Sequence, residues 1–271
     1  MTQQQQAAPA GGRPKRRPAN PRRISVLGIE QLSPRMRRIT FGGNDLATFA
    51  WSGPAAHIKI IFPEPGLGLD TVPVPDPEGP RPKTTRTYTP RRWDPAAQTL
   101  EVDFALHGDG PAATWAAQAK VGQQLILMGP ARGYEVDAEA PWYVLMGDDA
   151  ALPAIETILE ALPASTRTTV LIEVVAADEA RPLAGPTQTD VRWLVRGEDA
   201  GQAGSALLAG LADVKWPEGA GRVYAGCEAT ALRGLRTAVL ESSGLDKSRV
   251  VARGYWRVGA VNHPDHDYVE D

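Results

Sequence analysis

Two segments of the sequence combine residue types that suit a ligand carrying both phosphate and an aromatic ring. The first, Arg86-Thr87-Tyr88-Thr89, places a guanidinium, an aromatic ring and two hydroxyls within four residues. Arginine makes paired, charge-assisted hydrogen bonds to phosphate oxygens, and a tyrosine ring provides a flat apolar face. The segment predicts a phosphate clamp beside a stacking surface, with ordinary structural packing as the alternative.

The second segment runs from His107 to Trp115 and holds Gly108, Gly110 and Pro111. Glycines at a strand-to-helix turn let the backbone approach a ligand, and the N–H groups of a helix start suit phosphate. Proline fits the first helical turn. The turn therefore predicts a second phosphate contact, with a generic glycine turn as the alternative. Asp103 lies four residues before His107, about 13 Å along a strand, so the two do not form an acid–base pair by themselves.

These segments lie in a first half, residues 22–137, that reads as short strands. Leu100, Val102, Phe104 and Leu106 alternate with polar residues, which predicts one buried face. Nine of the 24 prolines lie between Pro63 and Pro95, which predicts a long loop without strands or helices. Short strands with few helices favour an antiparallel β-barrel.

The second half, residues 138–271, alternates apolar strands with helical patterns. The run Trp142–Met146 ends at Gly147, and the spacing of Leu152, Ile155, Leu159 and Leu162 predicts a helix after it. Such alternation predicts a Rossmann-like parallel α/β domain with crossover connections. A ligand in such a sheet binds where strands end and helices begin, and Gly147 stands at such a point.

Composition and charge narrow the function classes. The single cysteine, Cys227, excludes an intrachain disulfide framework, a four-cysteine zinc site and an iron–sulfur cluster on this chain's own thiolates. No stretch is apolar enough for a membrane span, and the start lacks a secretory pattern, which predicts a cytoplasmic protein. Six basic residues lie close together near the N-terminus: Arg13, Lys15, Arg16, Arg17, Arg22 and Arg23. The rest of the chain has 23 basic and 32 acidic residues. We expect residues 1–21 to form a disordered basic tail rather than a nucleic-acid arm, because the acidic body would repel phosphates.

Five blocks of the sequence, in order over residues 22–259, resemble the siderophore-interacting protein family, which comprises FAD-dependent ferric-siderophore reductases of the ferredoxin-reductase-like superfamily. The blocks are Arg86–Thr89, Leu100–Trp115, Gly129-Pro130, Gly147–Ile155 and Gly254–Gly259. The resemblance implies an FAD-binding barrel followed by a nicotinamide-binding domain, with flavin-mediated rather than side-chain catalysis.

The resemblance also implies roles for single residues of the barrel. Arg86 would bind the FAD pyrophosphate, Tyr88 would pack on the isoalloxazine, and Thr89 would hydrogen-bond the flavin ring. The other residues implied for FAD are Thr87, Asp103, His107, Gly110, Pro111, Ala112 and Thr114. For His107, a strand-end cap is the alternative.

In the second half, the resemblance implies contacts of NADPH or NADH with Gly147, Asp149, Cys227 and Glu228. No GxGxxG fingerprint is present, and Asp148 and Asp149 would repel a pyrophosphate. Reduction by a ferredoxin therefore stays open, as does a non-catalytic protein that only binds flavin or siderophore. The alternative role for Cys227 is that of a small buried residue.

The substrate implied by the resemblance is a ferric siderophore, so iron would arrive with its chelator rather than at a metal site built by the chain. Lys59, Arg132 and Arg253 are the candidate cations for an anionic chelate, with surface solvation as the alternative for each. We expect a monomer that binds neither nucleic acid nor membrane.

Overall fold

Two β-sheets, one antiparallel and one parallel, organise the chain. The computed structural model describes residues 21–260 apart from 65, 67–71, 74, 76–78, 81, 109 and 198–201. Residues 1–20 of the basic N-terminal segment lie outside the described residues. In the described part of the chain, no helix is both long and apolar enough to cross a membrane.

The first sheet has seven antiparallel strands in the described residues. They follow the order β4-β3-β7-β1-β2-β6-β5. Their bounds are β1 Arg22–Ser33, β2 Met36–Gly42, β3 His57–Ile61, β4 Thr85–Tyr88, β5 Pro90–Asp94, β6 Thr99–Ala105 and β7 Gln124–Ala131. Helix α1, Pro111–Gln118, lies between β6 and β7 in the chain.

This sheet is curled by its own connectivity. Its two edge strands are β4 and β5, yet β4 ends at Tyr88 and β5 begins at Pro90. One residue, Thr89, therefore joins opposite edges of a seven-stranded sheet, and only a strongly curled sheet can bring those edges together. The antiparallel barrel predicted from the sequence agrees with this arrangement.

The long loop predicted over Pro63–Pro95 is wrong in its second part, because β4 and β5 lie within it. Both are edge strands, and Pro90 is the first residue of its strand. Proline lacks a donor for a ladder hydrogen bond but is accepted at sheet edges and strand starts. The density of prolines therefore marked strand edges as well as a loop.

The alternation on β6 creates the core of the first half. Leu100, Val102 and Phe104 have no exposed surface, and α1 covers them with Trp115, whose ring centroid is 6.0 Å from that of Phe104. Each such large apolar side chain contributes roughly 1.5–3 kcal/mol on burial. Packing of α1 on this face fixes the start of that helix beside the end of β6.

The second sheet has five parallel strands in the order β10-β9-β8-β11-β12. The strands are β8 Trp142–Asp148, β9 Arg167–Val174, β10 Thr189–Val195, β11 Arg222–Glu228 and β12 Val250–Trp256. The helices are α2 Leu152–Ala161, α3 Ser205–Leu211 and α4 Ala229–Ser243. The predicted Rossmann-like α/β sheet is confirmed. Its strand order reverses between β8 and β11, and ligands of such sheets bind outside the carboxyl ends at that point.

Buried polar contacts join the two halves. Arg91 of β5 is 5% exposed and donates to both oxygens of Glu160 on α2, at 2.9 and 2.6 Å. Glu156 of α2 accepts two hydrogen bonds from Arg181, which keeps its pKa below the usual value despite burial. Arg91 also lies 3.4 Å from Glu156, so the contacts of Arg91 hold α2 against the first sheet, whereas Arg181 belongs to the second half. The division between residues 137 and 138 stays a prediction.

Candidate functional site

A cavity of about 260 Å³ lies where the two halves meet. Strands β3, β4 and β6 and the start of α1 form one wall, and the β8–α2 turn and the end of β12 form the other. Its lining includes Ala55, His57, Arg86, Thr87, Tyr88, Thr89, Asp103, Ala105, His107, Gly110, Ala112, Ala113, Asp149, Ala150, Pro153, Arg253, Gly254, Tyr255 and Trp256. The predicted residues Arg86–Thr89, Asp103, His107, Gly110, Ala112, Asp149 and Arg253 thus share one cavity.

Strand β4 presents Arg86 to this cavity with its guanidinium held in place. One terminal nitrogen donates to the carbonyl oxygens of Lys83 and Thr85, both at 2.9 Å. Partial burial lowers the pKa of Arg86, although a guanidinium stays protonated at neutral pH. These two backbone contacts fix the guanidinium of Arg86, a residue of the cavity lining, in one orientation.

Tyr88 lies between the cavity and the core of the first half. Its ring centroid is 4.5 Å from that of Phe104 and 6.1 Å from that of Phe62. Burial raises the pKa of the Tyr88 phenol far above its usual value, so the side chain is neutral. The ring is fixed by packing and lines the cavity, as a stacking surface requires.

Thr89 connects the two sheets through hydroxyls. It is buried at the junction of β4 and β5 and hydrogen-bonds the Tyr255 phenol on β12. The Tyr255 oxygen lies 2.8 Å from that of Tyr224 on β11. Burial raises the pKa of Tyr255 well above its usual value, so this hydroxyl chain stays uncharged.

The start of α1 opens on the cavity. Gly110 precedes the helix with extended backbone, Pro111 occupies its first turn, and no described side chain caps it. A Cβ on Gly110 would meet no described atom within 4 Å, so the backbone there is accessible. Pro111 and Thr114 lie on α1 outside the cavity lining. The small side chains of Ala112 and Ala113 leave room for a ligand at the first helical turn.

Asp103 borders the cavity but is engaged by a partner. Its buried carboxylate accepts two hydrogen bonds from Arg38 on β2, at 2.7 and 2.8 Å, and this pairing raises the pKa of Arg38. A carboxylate held in this way positions a cation and the strands around it. Its contact with a ligand stays a prediction.

Three residues predicted for the nicotinamide lie outside the cavity lining. A Cβ on Gly147 would be 2.7 Å from the Gly226 carbonyl oxygen and from Ile155 Cδ1, so glycine permits close packing there. Cys227 has no exposed surface, and burial raises the pKa of its thiol far above the usual value. Glu228 is the N-cap of α4 and accepts hydrogen bonds from the backbone of Thr230 and Ala231. Packing and capping explain the residue types at these three positions, and their contacts with a nicotinamide stay a prediction.

The predicted substrate cations divide between two cavities. Lys59 donates to the Thr87 hydroxyl at 3.1 Å, at the edge of the first cavity. Arg132 lines a second cavity of about 710 Å³ and pairs with Glu135 at 3.1 Å on the surface. Arg253 lines both cavities and lies over the Tyr224 ring, 5.7 Å from its centroid.

Sequence reasoning overlooked the parts played by His57, Tyr255 and Trp256 in this cavity. His57 has the same orientation as Lys59 two residues later on β3, a signal available in the sequence. Trp256 closes the opposite wall, with its Nε1 donating to the Asp148 carboxylate at 2.7 Å and its ring 6.1 Å from that of His107.

The donor set fits a flavin dinucleotide. Arg86 and the uncapped start of α1 offer groups for phosphates, while the rings of Tyr88 and Trp256 provide apolar faces. The cavity is concave, mixed in polarity and lies beside the topological switch of the parallel sheet.

Comparison with known proteins agrees with this geometry. The model of the siderophore-interacting FAD-binding domain matches residues 25–134, and that of the siderophore-interacting protein matches residues 140–259. The chain belongs to the siderophore-interacting protein family. Both halves of the molecule are therefore covered by models of one family.

Relatives within the siderophore-interacting protein family extend over nearly the whole chain. A siderophore utilization protein from T. fusca is 35% identical, with a TM-score of 0.80 over 92% of this chain and 97% of that one. The NADPH-dependent ferric-chelate reductase of Escherichia coli is 31% identical, over 87% of this chain and 92% of the relative. Ferric vibriobactin reductase ViuB of Vibrio cholerae is 29% identical, over 91% and 93%.

Proposed function

We propose that this protein is an FAD-dependent reductase that passes electrons from NADPH or NADH to ferric iron held by a siderophore, releasing Fe(II). The observation that carries the proposal is the cavity between the sheets, where the Arg86–Thr89 segment and the start of α1 face the switch point of the α/β half. The names of the Escherichia coli and Vibrio cholerae relatives support the same reaction.

The cofactor supplies the redox chemistry. Bound FAD would supply a group able to take two electrons as a hydride and to give them up one at a time, which suits a nicotinamide donor and a one-electron ferric acceptor. The chain's own residues bind and orient: Arg86 would hold a phosphate, Tyr88 would pack on the ring system, and Thr89 would donate to or accept from a ring heteroatom. Tyr255 orients Thr89 through their hydrogen bond.

Substrate binding would depend on the cations near the first cavity. Arg253 lines the first cavity, Lys59 adjoins it through Thr87, and Arg132 lines the neighbouring cavity. Ferric siderophores with anionic donors would be attracted to this region, whereas neutral chelates would gain little from it. We assign Lys59 and Arg253 the larger contributions because they lie nearer the predicted flavin.

The remaining features of the proposal concern organisation and setting. We propose an FAD-binding domain over 22–137 and a nicotinamide-binding domain over 138–271, acting as a monomer in the cytoplasm. The strand order and the family models, which end and begin at residues 134 and 140, support this division.

A ferredoxin is a second candidate electron donor. The observation favouring it is the acidic Asp148-Asp149 turn, which stands where a parallel sheet would hold a pyrophosphate. A protein donor would not require that site.

Anaerobic reduction tests the proposal. Purified protein reconstituted with FAD is mixed with NADPH, NADH or reduced ferredoxin while the flavin absorbance is followed, and ferric siderophore is then added with a colorimetric Fe(II) trap. Bleaching by a nicotinamide, then recovery of the absorbance with Fe(II) formation, is the expected result. Bleaching by ferredoxin alone would select the second donor, and failure to bind FAD would contradict both reductases.

A further inference from the structure

Three strands of the parallel sheet end in, or next to, a buried acid. Asp148 ends β8 and Glu228 ends β11, the two strands that flank the switch point, and Glu173 is the penultimate residue of β9. Their exposed fractions are 5%, 3% and 3%. Buried carboxylates require donors, and the backbone around the following helices supplies them.

Glu173 and Glu228 cap the helices that face them. Glu173 accepts from the backbone nitrogens of Gly204, Ala206 and Leu207 at 2.8, 2.9 and 3.2 Å, at the start of α3. At the start of α4, one oxygen of Glu228 accepts from the nitrogens of Thr230 and Ala231 at 2.7 and 2.8 Å. Its second oxygen accepts from the Val258 nitrogen at 3.2 Å.

Asp148 closes the turn that leads into α2. One oxygen accepts from the nitrogens of Ala150 and Ala151 at 3.1 and 3.2 Å, and the other accepts from Trp256 Nε1 at 2.7 Å. The N–H groups of Ala150 and Ala151, which could otherwise bind a phosphate at this turn, are therefore already bonded to the carboxyl group of Asp148.

The consequence concerns the pyrophosphate of a nicotinamide dinucleotide. In doubly wound sheets this group binds to backbone N–H groups where a strand turns into a helix. In the described residues of the α/β half, the corresponding donors near β8, β9 and β11 are bonded to Asp148, Glu173 and Glu228. An incoming pyrophosphate would meet carboxylates there instead of free donors.

Asp149 adds a second carboxyl group at this turn, and it hydrogen-bonds the backbone of Ala150. It lines the cavity at the β8–α2 turn, beside Ala150. Burial raises the pKa of Asp149 and the charge of Glu179 adds to that rise, whereas His107 and Arg196 lower it. Burial and, after it, the charge of Asp149 in turn raise the pKa of Asp148. Arg196 is already 3.1 Å from Glu173, and His107 lies on the opposite wall.

We propose that Asp149 is a specificity-determining residue that weakens binding of phosphate-bearing nicotinamide donors by charge repulsion, because backbone N–H groups at the β8–α2 turn and at the starts of α3 and α4 are already bonded to Asp148, Glu173 and Glu228. This inference rests on the proposed reductase function. Repulsion grows with the number of phosphates on the donor, so it acts most strongly on NADPH, less on NADH, and not on a dihydronicotinamide without phosphate.

The experiment compares three donors with the unmodified protein and Asp149→Asn, both loaded with FAD at pH 8. The donors are NADPH, NADH and the phosphate-free 1-benzyl-1,4-dihydronicotinamide. We expect the variant to lower KM about 3- to 10-fold for NADPH and less for NADH, with no change for the neutral donor. The dissociation constant of NADP⁺, measured by calorimetry, should fall by a similar factor.

Two controls make the result specific. Asp213→Asn removes an exposed carboxylate beyond the C-terminal end of α3, at the opposite edge of the sheet, and should leave all three KM values unchanged. Added NaCl should reduce the KM ratio between the unmodified protein and Asp149→Asn, because salt screens the repulsion. Asp149→Ser should reproduce the effect of Asp149→Asn.

An unchanged or higher KM for NADPH in both Asp149 variants would overturn the inference, as would an equal change for the neutral donor. Failure of the reductase function has a different signature: flavin reduced by dithionite would then fail to reduce ferric siderophore in every form of the protein. The two failures are therefore distinguishable.

Discussion

Helix α1, which faces the cavity from the antiparallel half, and helices α3 and α4 of the parallel half begin in different ways. Helix α1 begins at Pro111, after Gly110, with no capping side chain in the described residues, whereas Glu173 caps the start of α3 and Glu228 caps that of α4. A carboxylate cap stabilises a helix start but uses the donors that a phosphate would need. The antiparallel half therefore keeps its donors for a ligand, and the parallel half uses them for its own stability.

The side chains around the cavity follow the same division. On the antiparallel side, Arg86 is oriented by two backbone carbonyls and retains further donors, while on the parallel side both oxygens of Asp148 are bonded within the protein. We therefore expect FAD to bind tightly on the antiparallel side and the nicotinamide to bind more weakly and exchangeably on the parallel side. Such a division suits a reductase whose flavin stays bound and whose nicotinamide leaves after each turnover.

The largest effect on stability is expected for Asp103. This residue departs from the contrast drawn above, because it lies on the antiparallel side but its carboxylate is bonded within the protein. Asp103→Ala leaves the partly buried Arg38 guanidinium without its bidentate partner, which should lower the free energy of unfolding by about 3–5 kcal/mol. Urea denaturation of the FAD-free protein measures this, with Asp103→Asn as the milder control. Unchanged stability combined with loss of FAD would instead make Asp103 a ligand of the cofactor.

The second-largest effect is expected on FAD binding when the guanidinium of Arg86 is removed. Arg86→Ala removes charge-assisted hydrogen bonds to a phosphate, worth about 1.5–3 kcal/mol, so the dissociation constant for FAD should rise about 10- to 150-fold. Flavin fluorescence quenching on titration measures this constant. Arg92→Ala removes a 60% exposed arginine of β5 and should leave it unchanged. Retention of FAD by Arg86→Ala would contradict the assigned phosphate clamp.

A smaller effect is expected for Lys59 at the cavity edge. Lys59→Ala should weaken binding of an anionic ferric siderophore about 3- to 10-fold, because one partly solvated cation is lost. FAD affinity and the binding of a neutral ferric hydroxamate should not change. Tryptophan fluorescence titrations with both chelates make the comparison, and equal losses for the two would argue against an electrostatic role.

The smallest effect is expected at Cys227. Burial raises the pKa of this thiol, so the nucleophilic thiolate is scarce and the sulfur has no exposed surface. Iodoacetamide at pH 8 should leave the folded protein unmodified by mass spectrometry and label it in urea. Rapid labelling of the folded protein would show that the β11–α4 junction opens.

Much of the fold could be predicted from the sequence, because periodicity and β-branched runs report directly which faces are buried. The alternation on β6 and the helical spacing after Gly147 are examples. The strands β4 and β5 were missed because prolines disfavour a strand only where its N–H groups must pair, and edge position depends on the whole sheet.

Site residues that belong to a local motif could be predicted from the sequence. Residues whose role depends on distant partners in the fold could not. Arg86–Thr89 and the turn at Gly110 reach the cavity from neighbouring stretches of chain. Asp103 pairs with Arg38, 65 positions away, and Glu173 caps a helix 31–34 positions away. No sequence pattern predicts contacts between residues so far apart. Glu228 caps its own helix, a pattern that is readable from sequence.

The bond between Trp256 and Asp148 gives the molecule an intrinsic optical reporter. Burial, followed by the neighbouring charge of Asp149, raises the pKa of Asp148 to about 7. Indole emission responds to a carboxylate on its N–H, so the fluorescence of Trp256 should shift as the acid is titrated through neutrality, with Glu173 also near it. Because the same ring lines the cavity, its emission should also be quenched by energy transfer to a bound flavin. One side chain would thus report on both halves of the protein.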